Sequence, residues 1–240
     1  MIKIDRAFVL AAGFGTRMQP LSRHRPKPLV ELDRKMLIDH VIDRLGDAGV
    51  MTVAVNVHHL ADQIETHLAG RSYPEIQICD ERNLLLDTGG GARNALGVLG
   101  YVPFITANSD SIWVEGASSA IERLISAFDP ERMDCLLLLA SVVNSVGYDG
   151  TGDFSMSDAG LLTRRGERPA VPFAYTGVSI AHPRLFEYSP KGPFSMNVLW
   201  NHALEAERCY GIRHDGIWMH VGTPDALADA EITMTQRLNA

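Results

Sequence analysis

The turn Gly13-Phe14-Gly15-Thr16-Arg17 and the tripeptide Pro26-Lys27-Pro28 put two cations ten residues apart, behind a short apolar run at 7–11. Glycines reach φ > 0 and let main-chain N–H groups approach phosphate oxygens. A guanidinium adds a planar fork of donors matched to phosphate, and an ammonium adds a point charge. Pro26 and Pro28 fix their own φ and restrict the residue before each, so Lys27 rides on stiff backbone. This order suits a backbone wrapped round a nucleoside triphosphate whose phosphates are pinned by fixed charge. Leu10, Ala11, Ala12, Gly13, Gly15 and Thr16 form the expected cradle, and Arg17 and Lys27 the expected cations. Two other phosphate loops do not fit. The dinucleotide fingerprint needs a third glycine where this chain has Met18, and no Gly-Lys-Ser/Thr opens a helix.

The elements that must position these groups alternate. Apolar side chains at Leu37, Ile38, Val41, Ile42 and Leu45 predict a helix over 36–48. Further helices are expected at 60–68, 90–98, 118–128 and 194–207, and strands at 53–57, 76–79, 104–107, 135–140, 175–181 and 217–221. Thr223-Pro224 reads as N-cap and first residue of a last helix. Repeated β-α units predict an α/β three-layer sandwich, a mainly parallel Rossmann-like sheet with helices on both faces. Ligands in such sheets bind beyond the carboxyl ends of the strands, so the glycine turn and Asp110, after a later strand, fall on one edge. Residues 142–172, polar and glycine-bearing, read as a small insertion facing a substrate within a single domain spanning 1–240.

Composition narrows the partners. Lys and Arg number 22 against 29 Asp and Glu, a net charge of −7, which argues against nucleic-acid or anionic-membrane surfaces. Against that background Arg17, Arg23, Arg25 and Lys27 crowd together, as a small anionic ligand requires. No apolar run reaches the roughly 18 residues that span a bilayer. Asp5 and Arg6 interrupt any signal-peptide pattern, and the dispersed Cys79, Cys135 and Cys209 read as reduced core residues, so a cytosolic protein is expected. His58-His59, adjacent in an extended reading, make a poor metal pair, and 177–181 lacks the final glycine of a nucleophile elbow.

The chain resembles the sugar-1-phosphate nucleotidyltransferases, whose signature is Leu-x-x-Gly-x-Gly-x-Arg followed by Pro-Lys-Pro. Asp-Thr-Gly-Gly-Gly at 87–91, Asn-Ser-Asp at 108–110, Gly-Asp-Phe at 152–154, Thr-Gly-Val-Ser at 176–179 and Val-Gly-Thr-Pro at 221–224 point to its muramate-type branch. The likeness spans nearly the whole chain. It implies attack by a sugar-1-phosphate oxygen on the α-phosphorus of a nucleoside triphosphate, with pyrophosphate leaving. UTP and N-acetylmuramate 1-phosphate are the implied pair, in cell-wall recycling, by a monomer or small homo-oligomer. Guanylyl or thymidylyl transfer to mannose- or glucose-type phosphates is the alternative, and a silent nucleotide-sugar-binding regulator is a third.

Residue by residue, Arg17 is expected on the triphosphate and the developing charge, and Lys27 on the α-phosphate and the incoming phosphate. The resemblance makes Asp110 the Mg²⁺ ligand and Asn108, Asp153, Thr176 and Gly177 the sugar contacts. It also implies an aspartate where this chain has His220. Either Asp110, phosphates and water hold the metal, or His220 recruits a softer ion, or His220 touches phosphate directly. Glu81, Thr88 and Gly89 are candidates for the base, with Asp80 an equal alternative to Glu81. Asn56, at a strand end, faces the triphosphate or merely ends its strand. Glu167-Arg168-Pro169 faintly resembles the Glu-Lys-Pro of larger relatives, with arginine in place of lysine.

Overall fold

The computed structural model describes residues 3–238. In chain order its first half comprises β1 (Arg6–Leu10), β2 (Glu31–Leu32), β3 (Lys35–Met36), α1 (Leu37–Asp47), β4 (Thr52–Val57), α2 (Ala61–Leu68), β5 (Glu75–Asp80), α3 (Asp87–Leu99), β6 (Phe104–Asn108) and β7 (Ser111–Val114). The second half comprises α4 (Ala120–Ala127), β8 (Cys135–Ser141), β9 (Phe154–Met156), β10 (Leu162–Arg164), β11 (Phe173–Ala181), α5 (Met196–Glu205), β12 (Cys209–Arg213), β13 (Ile217–His220) and α6 (Pro224–Leu238).

A nine-stranded sheet forms the middle layer, ordered β10-β9-β11-β6-β1-β4-β5, with β8 also on β11 and β12 on β8. Strands β5, β4, β1 and β6 are parallel; β11 runs antiparallel to β6 and β8. The central strand carries Ala7, Phe8 and Val9 with no exposure, because helices cover both faces. On one face Val9, Val53 and Ile105 pack with Ile38, Val41 and Leu45 of α1 and Leu124 of α4. On the other, Phe8, Ala54 and Phe104 pack with Ala92 and Leu96 of α3 and Leu199 of α5. A third, smaller core gathers Met18, Val30, Leu32, Ile112, Met219 and Ala230. It lies beneath the phosphate loop. The residue that spoils the dinucleotide fingerprint is therefore the loop's hydrophobic anchor.

The expected helices and strands are present, with boundary shifts. α3 opens at Asp87, earlier than 90, because its three glycines hide the helical pattern. Three features went unanticipated. β7 pairs with β13, β12 is recruited by β8, and the 142–172 insertion folds into the β9–β10 hairpin on the sheet edge. His58 and His59 lie just past β4 rather than within it, and both rings pack against Phe14. The three cysteines are free and buried, and Cys135 and Cys209 are cross-strand partners. No helix of the described residues is long and apolar enough to cross a membrane. Thr223 Oγ1 accepts from Ala226 N at 3.2 Å, capping α6 as the sequence predicts.

Burial holds the pKa of His40, His182 and His214 below the usual 6.5. The folded state keeps these rings neutral, whereas the unfolded chain takes up protons once pH drops under that value. Stability is therefore full above pH 6.5 and lost progressively as pH falls below it. Urea midpoints measured between pH 8 and pH 5 should fall at the acid end. His40→Phe, which removes a buried proton acceptor, should flatten that slope.

Candidate active site

In register, Leu10 of β1 faces Asn56 of β4 on one side and Asn108 of β6 on the other. The carboxyl ends of three adjacent parallel strands thus finish level. Past Leu10 the ladder stops, and Asn56 Oδ1 accepts from Ala11 N at 2.8 Å. Asn56 Nδ2 in turn donates to Glu81 Oε1 at 2.9 Å, and Glu81 Oε2 accepts from Leu86 N at 3.0 Å. On the far side Ser109 N donates to Leu10 O at 3.1 Å.

The chain then turns at Gly15, whose φ of +62° and closeness to Lys27 exclude a Cβ: one would lie 2.9 Å from Lys27 Cβ. Ser22 Oγ donates to Gly15 O at 2.7 Å and fixes the turn. Gly13, by contrast, has open space around it and no positive φ. Lys27 opens a single 3-10 turn behind Pro26 and donates from Nζ to Asp110 Oδ2. The two side chains are 12% and 22% exposed, so each charge is largely sheltered and compensated by the other.

These groups enclose a cavity of about 360 Å³ lined by Leu10, Ala11, Ala12, Gly13, Gly15, Arg17, Lys27, Asn56, Thr88, Asn108 and Asp110, with Pro28, Leu85, Asp87 and Ser109. A second cavity of about 210 Å³ adjoins it and shares Leu10, Asp87, Thr88 and Asn108. Its other walls are Thr106 and Tyr175 from the sheet and Ser195, Met196, Asn197 and Trp200 at the start of α5. Sequence reasoning missed this second set. Its only signal was an apolar helix, which reads as core.

Several expected contacts are corrected by their surroundings. Glu81 is 2% exposed with both oxygens engaged inside the protein, so it braces Asn56 instead of meeting a base. Asp80 points outward and pairs with Arg82. Gly89 N donates to Phe194 O at 2.9 Å, and Gly89 lines neither cavity. Thr16 is exposed and also outside the lining. Thr176 is buried, with Oγ1 donating to Leu138 O at 2.9 Å. Gly177, at φ +91°, lies in the β11 irregularity; a Cβ there would come within 2.9 Å of Asn108 Nδ2. It seats Asn108 and is not itself in the cavity wall. Asp153 Oδ2 accepts from the backbone N of Tyr175 at 2.9 Å, behind that residue of the second cavity's wall, and no residue of 142–172 lines either cavity. Arg168 bonds Ser155 Oγ at 2.9 Å and neighbouring carbonyls, a local brace.

Residues 7–145 match the MobA-like NTP transferase domain family. The chain is 46% identical over 96% of its length to N-acetylmuramate alpha-1-phosphate uridylyltransferase of Caulobacter vibrioides, covering 97% of that protein. It is 32% identical to the Neisseria meningitidis protein of the same name, over 94% of this chain and 96% of that one. The chain belongs to the sugar-1-phosphate nucleotidyltransferases. In fold it is similar to UDP-glucose pyrophosphorylase from Acinetobacter baumanii, with a TM-score of 0.79 at 16% identity over 99% of both chains. The first cavity falls within the matched segment. The second draws Tyr175, Ser195, Met196, Asn197 and Trp200 from beyond it.

His220 ends β13 opposite Ser111, the neighbour of Asp110. Burial lowers its pKa; Asp110 opposes that, while Lys27 and Arg17 reinforce it. The ring is therefore neutral at pH 7 and adds no charge to the cavity. Among the described residues no group of three or more His, Cys, Asp or Glu side chains could hold a metal ion. A carboxylate such as Asp110 in the wall of this cavity does suit Mg²⁺, which keeps several waters and binds through one or two carboxylates plus substrate phosphates.

Asn56→Ala leaves the Ala11 N–H and the Glu81 carboxylate without their partner. Chemical denaturation should register a loss of about 1–3 kcal/mol, and nucleotide affinity should fall with it.

Proposed function

We propose that this chain transfers the uridylyl group of UTP to N-acetylmuramate α-1-phosphate. The observation that carries the reading is the wall shared by the two cavities, which brings a phosphate-binding loop and an aromatic-lined pocket to either side of Asn108. The names of the two relatives support the choice of base and sugar. In the reaction a phosphate oxygen of the sugar attacks the α-phosphorus of the triphosphate. A new P–O bond forms as the α–β bond breaks, and pyrophosphate leaves with the electron pair.

Both reactants are anions, so the protein's task is to juxtapose them and offset their repulsion. Arg17 receives the triphosphate at the loop. Lys27 exchanges Asp110 for the α-phosphate and the incoming phosphate. Asp110, released, is the carboxylate that would hold Mg²⁺, which would supply charge neutralisation to the phosphates. His220 remains neutral and outside the metal's ligand set. Backbone groups of 10–13 and Thr88 face the nucleotide. The 142–172 insertion serves the sugar cavity from behind, through Arg164, whose Nη2 donates to Asn197 Oδ1 at 2.7 Å. The setting is cytosolic, in the reuse of cell-wall sugars.

A matrix of nucleoside triphosphates against sugar-1-phosphates, read by pyrophosphate release with Mg²⁺, should peak at UTP with N-acetylmuramate 1-phosphate. Binding of both substrates without pyrophosphate release would instead mark a sensor and end the catalytic reading. Lys27→Ala and Arg17→Ala should each lower kcat roughly 10²- to 10³-fold. His220→Ala should leave the Mg²⁺ concentration for half-maximal rate unchanged, whereas Asp110→Asn should raise it steeply.

A further inference from the structure

An acidic sugar sets the smaller cavity a problem, because the one formally charged residue in its wall is Asp87, itself an anion. N-acetylmuramate differs from N-acetylglucosamine by an ether-linked lactyl group that ends in a carboxylate. Asn197, at the start of α5, is exposed and lines the cavity. Its Oδ1 accepts from Arg164 Nη2 at 2.7 Å. A guanidinium only donates, so this bond fixes which way the amide faces: Oδ1 toward Arg164, Nδ2 away from it. Nδ2 carries two hydrogens, and among the described residues it meets only Ser195 Oγ, at 3.3 Å. A donor on an exposed side chain therefore remains for a ligand.

Arg164 stands at the end of β10 with its Cζ 4.8 Å from the Phe154 ring centroid, and its Nε donates to Asn201 Oδ1 at 3.1 Å. Asn197 and Asn201 are four residues apart on α5, so the guanidinium spans one face of that helix. Both of these acceptors are neutral. Arg184 and Arg208 share Asp134, and Arg123 has Asp215, but among the described residues no carboxylate pairs with Arg164. The side chain is half-buried, and burial, the largest influence on it, holds its pKa below the usual arginine value. A sheltered cation without a counter-ion gains from an anion brought beside it. We propose that Asn197 Nδ2–H binds the lactyl carboxylate of the sugar, and that Arg164, behind the amide, positions it and supplies the countercharge. The cavity thereby selects an acidic sugar over an uncharged one of the same shape. This deepens the uridylyltransferase reading and rests on it.

The probe pair is N-acetylmuramate 1-phosphate, read by its KM, and its lactamide, in which an uncharged amide of the same size replaces the carboxylate, read by its Ki as a competitor. In the wild type the Ki should exceed the KM roughly ten- to hundredfold, the worth of one hydrogen bond to a charged group. Asn197→Asp keeps the size and the acceptor for Arg164 but exchanges the donor for an anion. It should raise KM for the acid at least roughly tenfold and erase or reverse the preference over the lactamide. Arg164→Gln should narrow the preference by raising KM more than it lowers kcat, and Arg164→Lys, which returns the charge, should recover part of it. If Arg164→Gln does not fold, the wild-type comparison and Asn197→Asp still decide. Equal binding of acid and lactamide by the wild type, or variants that weaken both alike, would overturn the inference while leaving the activity intact. A wild-type enzyme inactive on every sugar-1-phosphate would sink the parent reading, and this one with it.

Discussion

A single buried hydrogen bond, Ala11 N–H to Asn56 Oδ1, decides where the phosphate loop begins. At the end of a parallel strand the next backbone N–H loses its ladder partner, and burying it unpaired costs as much as a lost hydrogen bond. Asn56 removes that penalty from the adjacent strand, and so dictates the direction in which the chain leaves the sheet. The side chain can do this only because its other end is tied to Glu81, which is tied to Leu86 N. Such a network is worth most when every member is satisfied. Here it links β1, β4 and the approach to α3, the elements that wall the larger cavity.

This dependence explains what was legible in the chain. Alternation of β-branched runs with helical stripes fixed the order of β1, α1, β4 and α2, since local pattern and burial agree there. The cations of the loop were equally plain, because proline and glycine act through their own backbone. Glu81 was not. An acid near a strand end reads as a ligand contact until its two partners are known, and both arise from other segments. The same holds for Thr176 and Asp153, whose motif residues serve β11 instead of a substrate. Motif membership marks residues that the fold needs near the site; it does not say on which side of the wall they stand. β12 escaped for a related reason, as Cys209-Tyr210-Gly211 becomes a strand only beside Cys135 and its neighbours.

Long-range assembly also explains why the second cavity could not be seen beforehand. Trp200 and Met196 sit on an apolar helix whose stripe is indistinguishable from a core stripe, and both are in fact counted in the core behind α3. Their second role comes from the close of β11 and the seating of Asn108 beside Gly177, where the glycine leaves room for the amide. A small backbone concession thus lets one asparagine belong to two cavities at once.

The Lys27–Asp110 pair shows how such a site stays folded without its ligands. Two opposite charges with limited solvent access would each resist burial alone, and their mutual attraction offsets much of that resistance. Because both remain partly exposed, the pair is not locked as a fully desolvated bridge would be. On the proposed reading an arriving triphosphate would replace one partner of the lysine with another anion, so the ammonium would keep a counter-charge throughout. His220 fits the same economy. In register with Ser111, the residue after Asp110, and with its pKa held down mainly by burial, it adds no second carboxylate beside Asp110. An aspartate there would add a second anion to compete for Lys27 and Arg17, which the neutral ring avoids.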